Sequence, residues 1–314
     1  MATYGPLENK LVMLIGGGGF VGTHVAQALL ERGARLRICD RHPEKAFRLR
    51  PLANLGQIQF ARCNVAVRKS VEAVMRGADA AAYLVGAFSG DLEALQARGA
   101  GWAAEAAAAE GATSFAYVSA IGADPASGSM YAATKGRGEE LVLRAFPKAT
   151  ILRPSVMFGE DDKFVNMFAG LISSLPMLPV FGPQARLQPV WVDDVAEALA
   201  NALADPGKHG GKTYEIAGPE QVTMDELHRR IATAQGRERH FIAVPDALSG
   251  LFAALPGTPM NSDQWRMLQD GSVAGGKLPG IKELGVTPHP LALFLDRWMT
   301  RYRRHGRFGT KSVA

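Results

Sequence analysis

Tyr131 and Lys135 stand four residues apart in the run YAATK, inside a segment whose pattern predicts a helix over 131–145. Residues at that spacing share one helix face. An ammonium beside a phenol favours the phenolate and lowers a pKa that otherwise sits near ~10. Such a tyrosine can pass a proton to or from a substrate oxygen while hydride moves, and the lysine can also hydrogen-bond a ribose. Ser119, in YVSAIGAD twelve residues before Tyr131, falls at a predicted strand end. There it would either hold a substrate oxygen or satisfy nearby backbone.

Gly16, Gly19 and Gly22 follow the spacing G-x-x-G-x-x-G, between an apolar run at 10–15 and a helical pattern over 23–32 that Gly33 ends. In such a loop the first glycine permits a tight turn, the second lets the backbone approach a pyrophosphate, and the third lets the helix pack close. The backbone at Phe20, Val21 and Gly22 would then offer N–H donors and roughly half a positive charge to phosphates. Asp40, 24 positions beyond Gly16, closes a second strand (35–39), where a carboxylate would accept from ribose hydroxyls and favour NAD(H). Arg41 follows and would pair with a 2′-phosphate, favouring NADP(H), or stay a solvated cation beside Arg37 and Lys45. The reading prefers NADP(H), with NAD(H) as the alternative. Asn64, at the end of a third strand (57–63), would bond the adenine edge or serve as a turn residue. Val65, and Val85 and Gly86 at the end of a fourth strand (80–85), complete the expected contacts.

The elements needed to hold these groups follow in strict alternation. A helix is expected at 99–109, a fifth strand at 114–120, the Tyr–Lys helix, then a sixth strand at 150–154. β-α-β order implies right-handed crossovers and a parallel sheet, so the fold class is α/β: a doubly wound Rossmann fold with a small C-terminal lobe. After about residue 155 the pattern loosens into Pro- and Gly-rich loops, short helices (192–204, 223–234) and a strand at 213–217 assigned to that lobe. The division expected is 1–235 for the dinucleotide-binding domain, with lobe elements interleaved from about 155. A helical extension with a basic tail would follow at 236–314.

At 47% hydrophobic and 21% charged, the 314 residues have globular composition. The net charge of +5 gathers late: Arg297, Arg301, Arg303, Arg304, Arg307 and Lys311 meet no acid in the last eighteen residues. This suits an anionic partner, but no nucleic-acid motif accompanies it and none is expected. Leu291, Phe294, Leu295, Trp298 and Tyr302 recur at helical spacing. They predict a helix packed on its own domain, or one docked to anionic lipid or an acidic subunit. Asp161 and Asp162 read as caps for a helix near Phe164, and Asp193 and Asp194 as N-terminal helix acids. The seven histidines show no zinc spacing, so no metal is expected. Cys39 and Cys63 read as buried, inert thiols. With no run of ~18 apolar residues and no signal-peptide pattern, a cytoplasmic protein is expected, at most peripheral on a membrane.

GGGGFVG, YVSAIGAD, YAATK, LRPSVMFG and PVWVDDVA occur in the order seen in extended and atypical short-chain dehydrogenases/reductases, which the chain resembles over about residues 10–235. RPLANLGQIQF, the run at 131–169 and GKLPGIKELGVTPHPL resemble, more narrowly, the dehydrogenase-like accessory subunit nine of respiratory complex I and its bacterial relatives. That resemblance implies bound NADPH, a structural role, and a peripheral position near the quinone region and the membrane. It also implies that Pro154 and Ser155 contact the dinucleotide. Ala120 stands where active members carry a second Ser or Thr, and Gln96 where extended members often place Asn. Two functions follow. One is an accessory or assembly subunit of a respiratory NADH–quinone oxidoreductase holding NADPH, peripheral on the cytoplasmic face of the inner membrane. The other is a free-standing NAD(P)-dependent oxidoreductase or epimerase using Tyr131, Lys135 and Ser119.

Overall fold

The computed structural model describes residues 5–255, 258 and 260–304. The run LVMLI forms β1 (Leu11–Ile15), buried at every position as a strand covered on both faces must be. The chain continues with α1 (Phe20–Glu31), β2 (Arg35–Asp40), a 3₁₀ stretch (Pro43–Leu52), β3 (Ile58–Arg62), α2 (Arg68–Met75) and β4 (Ala80–Tyr83). A π-helical turn (Glu93–Arg98) then runs into α3 (Gly99–Ala109), followed by β5 (Ser114–Val118), α4 (Met130–Ala145) and β6 (Thr150–Pro154).

Here the chain passes into a second compact unit with β7 (Met157–Phe158), α5 (Phe164–Ser174), β8 (Met177–Phe181), β9 (Arg186–Leu187) and β10 (Val190–Trp191). It returns to the first unit for α6 (Val192–Ala204), α7 (Pro206–His209) and β11 (Thr213–Ile216). The second unit resumes with β12 (Val222–Thr223), α8 (Met224–Ala234), β13 (His240–Val244), α9 (Asp246–Ala254) and α10 (Ser262–Asp270). Residues 275–287 rejoin the first unit, and α11 (Ala292–Trp298) ends in the second.

The first unit is built on a seven-stranded sheet in the order β11-β6-β5-β4-β1-β2-β3. All pairings are parallel. From β1 the chain winds outward through β2 and β3, then reverses to β4 on the other side. That reversal is the crevice where doubly wound folds receive ligands. The strand expected in the lobe belongs instead to this sheet: β11 pairs Thr213 with Ile151 and Ile216 with Pro154. Its Tyr214 and Ile216 are buried, and pairing satisfies an edge of β6 that would otherwise stay open. Ala100, Ala103, Ala104 and Ala107 of α3 are fully buried, so small side chains bring this helix close to its neighbours. Cys39 and Cys63 lie in the same core, where burial raises both thiols, Cys63 to about 11. That suits inert thiols.

The second unit has its own core of Phe158, Leu178, Val180, Leu227, Ile231, Leu291, Leu295 and Trp298. The tail stripe thus faces inward as a packed helix: Phe294 stacks on Trp298 with centroids 5.1 Å apart. Tyr302 donates to Asn166 Oδ1 at 3.0 Å. Arg307 and Lys311 lie outside the described residues. Asp162 accepts from Val165 N at 2.6 Å and Gly159 N at 3.1 Å, tying down the start of α5. Asp193 and Asp194 occupy the first turn of α6.

Candidate functional site

The glycine loop lies where the sheet order reverses. Gly16 takes φ +83°, a left-handed conformation that glycine adopts without strain, and its N–H donates to Cys39 O at 2.8 Å. At Gly22 a Cβ would fall 2.5 Å from Gly17 Cα and 2.6 Å from Gly16 O, so only glycine lets α1 begin against the loop. No side chain caps α1 and no acid occupies its first turn. The N–H groups of Phe20, Val21 and Gly22 therefore have no carbonyl within the helix to bond. Backbone N–H groups left open at a helix start can receive an anion.

Asp40 ends β2 with one carboxylate oxygen accepting from His42 N at 3.0 Å. The other oxygen lies 3.1 Å from where a Cβ on Gly18 would stand, so it faces the loop. Arg41 is exposed beside it. Arg48 also reaches α1, donating to Thr23 Oγ1 at 3.2 Å. Sequence reasoning missed this second guanidinium, because its placement depends on the 3₁₀ stretch folding back. Asn64 Oδ1 accepts from Ala66 N at 3.1 Å and Asn64 N donates to Ser70 Oγ at 2.9 Å, so its side-chain oxygen is engaged in a turn. Val65 is buried behind it.

Tyr131, Lys135 and the end of β4 come together. A Cβ on Gly86 would lie 3.7 Å from Tyr131 Oη and 4.0 Å from Lys135 Nζ. Lys135 is 1% exposed, and its ammonium donates to Val85 O at 3.0 Å and Val118 O at 2.7 Å. Burial lowers its pKa to about 7, against the opposing charge of Glu139 one turn away. Glu139 in turn accepts from Arg153 Nε at 2.8 Å and Nη2 at 2.6 Å.

The expected lowering of the tyrosine pKa is not what the structure has. Burial pushes Tyr131 up to about 12. The lysine turns its protons to the two carbonyls and sits 6.0 Å from the tyrosine ring centroid, too far for its charge to outweigh desolvation. Phe88 stacks on that ring at 4.7 Å and 14°.

Ser119 follows the carbonyl that holds Lys135. Its N–H donates to Leu152 O at 2.7 Å, while its Oγ is buried without a hydrogen-bond partner among the described residues. Gln96 shares that property at Oε1, although its Nε2 donates to Ala87 O at 3.3 Å and Thr134 Oγ1 at 3.2 Å. Each unsatisfied buried oxygen costs about 1–3 kcal/mol, a penalty that a donor on a ligand would remove. Gln96 belongs to the π-helical turn, whose Leu95 and Gln96 carbonyls accept from the buried hydroxyls of Tyr83 (2.5 Å) and Tyr117 (2.9 Å). Such turns recur at functional sites. Ala120 supplies no hydroxyl; its carbonyl accepts from Ala123 N at 3.1 Å. Pro154 ends β6 and accepts from Ile121 N at 3.0 Å. Ser155 lies in the second unit, where its hydroxyl donates to Ser272 O at 2.7 Å.

A parallel sheet reversing at β1 and β4, an open glycine loop at the reversal and a Tyr–Lys pair after β5 define the Rossmann class of dinucleotide-binding folds. The chain belongs to the RmlD substrate binding domain family, whose profile spans residues 10–249. It is 29% identical to mitochondrial NADH dehydrogenase [ubiquinone] 1 alpha subcomplex subunit 9 of Arabidopsis thaliana, across 96% of this chain and 80% of that one. It is 27% identical to a ceramide reductase of Caulobacter vibrioides, across 79% of this chain and 80% of that one. The fold matches a UDP-glucose 4-epimerase of Thermotoga maritima at a TM-score of 0.70 and 18% identity, covering 93% of this chain and 98% of the epimerase. Among the described residues no helix is long and apolar enough to cross a membrane, and no three His, Cys, Asp or Glu side chains gather as a metal site would need.

Proposed function

We propose that this protein holds a nicotinamide dinucleotide, NADPH in preference to NADH, as an accessory or assembly subunit of a respiratory NADH–quinone oxidoreductase. In this reading it sits peripherally on the cytoplasmic face of the inner membrane, with its basic tail toward lipid or a partner subunit. The observation that carries the reading is the similarity to subunit nine across 96% of the chain. The geometry agrees with a held cofactor. Backbone N–H groups of Phe20, Val21 and Gly22 would take the pyrophosphate, Asp40 and Arg41 the adenosine ribose and its phosphate, and Lys135 the nicotinamide ribose. When bound, the dinucleotide supplies a hydride donor or acceptor. A tyrosine whose pKa is raised to about 12 is poorly prepared to become a phenolate.

The second reading, an NAD(P)-dependent reductase, is favoured by the unpaired Ser119 Oγ beside the Tyr–Lys pair and by the similarity to a ceramide reductase. There Tyr131 would deliver a proton to a carbonyl oxygen held by Ser119. One experiment separates the two. The purified protein is dialysed extensively, then denatured, and any released dinucleotide is identified by mass spectrometry; the same is done for Tyr131→Phe. Retained NADPH in both, together with co-purification of the respiratory complex, supports the accessory role. An exchangeable cofactor and ketone-reducing turnover that Tyr131→Phe abolishes would replace it with the reductase.

A further inference from the structure

The second unit turns its bulky aliphatic side chains out on one face. In the parallel β8–β13 ribbon Pro179 pairs with Ile242, and the alternate residues Leu178 and Val180 are buried, so Met177, Pro179 and Ile242 point outward together. Phe181, next on that outward row, stacks on Phe252 of α9 with centroids 4.7 Å apart, which lays α9 along the same face. On α9, Ser249 and Ala253 are buried, while Leu248 and Leu251, with Leu255 just past the helix, turn outward at helical spacing. Met177, Ile242, Leu248, Leu251 and Leu255 are each 51–63% exposed. Residues 164–185 carry no charge at all, and 241–262 carry only Asp246, in a chain that is 21% charged.

Cations border this face. Arg239, just before β13, donates to Ile172 O at 2.8 Å, at the end of α5 that leads into β8. Arg237 stands beside it and donates to Tyr302 O at 3.1 Å, with its Nε buried and unpartnered among the described residues. Burial first, then the charges of Arg239 and Arg304, hold Arg237 below the usual guanidinium pKa. Arg237 and Arg239 are thus near neighbours in the chain, and Arg304 lies two residues past the Tyr302 carbonyl that Arg237 holds. Arginines bordering exposed aliphatic side chains are the two halves of an interfacial lipid-binding surface.

We infer that this face of the second unit docks on an anionic lipid bilayer, with Leu248, Leu251, Leu255, Met177 and Ile242 entering the headgroup boundary and Arg237, Arg239 and Arg304 taking lipid phosphates. A protein partner fits less well, because the row lacks the Tyr and Trp that dominate protein hot spots. A second copy of this chain would bring two arginine clusters to one interface. The inference rests on the peripheral-membrane part of the proposed function and assigns the contact to a folded face rather than to the tail.

The test floats the full chain with phosphatidylcholine vesicles, with and without phosphatidylglycerol. It compares Leu248→Asp/Leu251→Asp, Arg304→Ala, and a chain ending at residue 304. The leucine pair should lower partitioning by at least about tenfold. Removing one arginine should lower it about fivefold, on anionic vesicles only. The shortened chain should still float. Unchanged melting midpoints keep a folding defect from imitating the result. If shortening abolishes flotation while the leucine variant still floats, the tail is the anchor and the face is not. If the wild type floats with neither vesicle, both membrane readings fail. A concentration-dependent dimer that the leucine variant dissolves, without vesicle binding, would make the face a self-association surface and overturn the inference.

Discussion

Replacing Lys135 with Met is expected to change how stability responds to pH, beyond changing its level. Lys135 is 1% exposed, and burial brings its pKa from 10.5 to about 7. In the unfolded chain the amine returns to ~10.4. Below about pH 7 both states carry the proton, so the folded state bears the whole cost of a buried ammonium. Between about pH 7 and pH 10 the unfolded chain binds more protons than the folded one, so this group makes stability rise with pH. From about pH 7 to about pH 9 the rise amounts to about 2 kcal/mol. Methionine has similar length and no charge, so Lys135→Met removes the rise. It also leaves the Val85 and Val118 carbonyls unpaired, which adds an offset with little pH dependence. Urea denaturation of both proteins at several pH values gives the difference in unfolding free energy, in which groups common to both cancel. The difference should move toward the wild type by about 2 kcal/mol over that range. Parallel curves would refute the reasoning, because they would mean that the ammonium is not desolvated in the fold.

Three further outcomes follow from the geometry. Gly22→Ala forces a Cβ to within 2.5 Å of Gly17 Cα; it should abolish measurable dinucleotide binding by calorimetry and cost about 1–3 kcal/mol of stability. Glu139→Gln strips Arg153 of its carboxylate, and urea denaturation should show a loss of about 3 kcal/mol; a loss near zero would mean that water already solvates the guanidinium. Arg41→Ala should weaken NADPH binding by about tenfold or more and leave NADH nearly unchanged. Equal losses for both cofactors would remove Arg41 from recognition of the 2′-phosphate.

The local signals in the sequence were enough for the strands β1 to β6, the glycine loop and the helix carrying Tyr131 and Lys135, whereas the sheet to which β11 belongs was not legible. Each rests on apolar runs, periodicity or glycine spacing within a dozen residues. What could not be read depends on distant partners. The π-helical turn is indistinguishable from an alanine-rich helix until the Tyr83 and Tyr117 hydroxyls claim its carbonyls. Pro176 and Pro179 hide β8, whose partner β13 lies some sixty residues on. The direction of the Tyr131 pKa shift needed the lysine's actual hydrogen bonds, because spacing alone shows that two groups share a face and not where the charge points.

The passage of the chain back and forth between two compact units bears on its biosynthesis. β6 is complete at Pro154, yet its neighbour β11 begins only at Thr213. While the intervening residues leave the ribosome, the nascent sheet presents an unprotected edge, the feature by which strands recruit the wrong chain. The second unit waits longer, since Leu291, Leu295 and Trp298 of its core are made only after β11. Neither unit can finish folding as a contiguous stretch, so protection by a chaperone should matter most in the interval between the two strands.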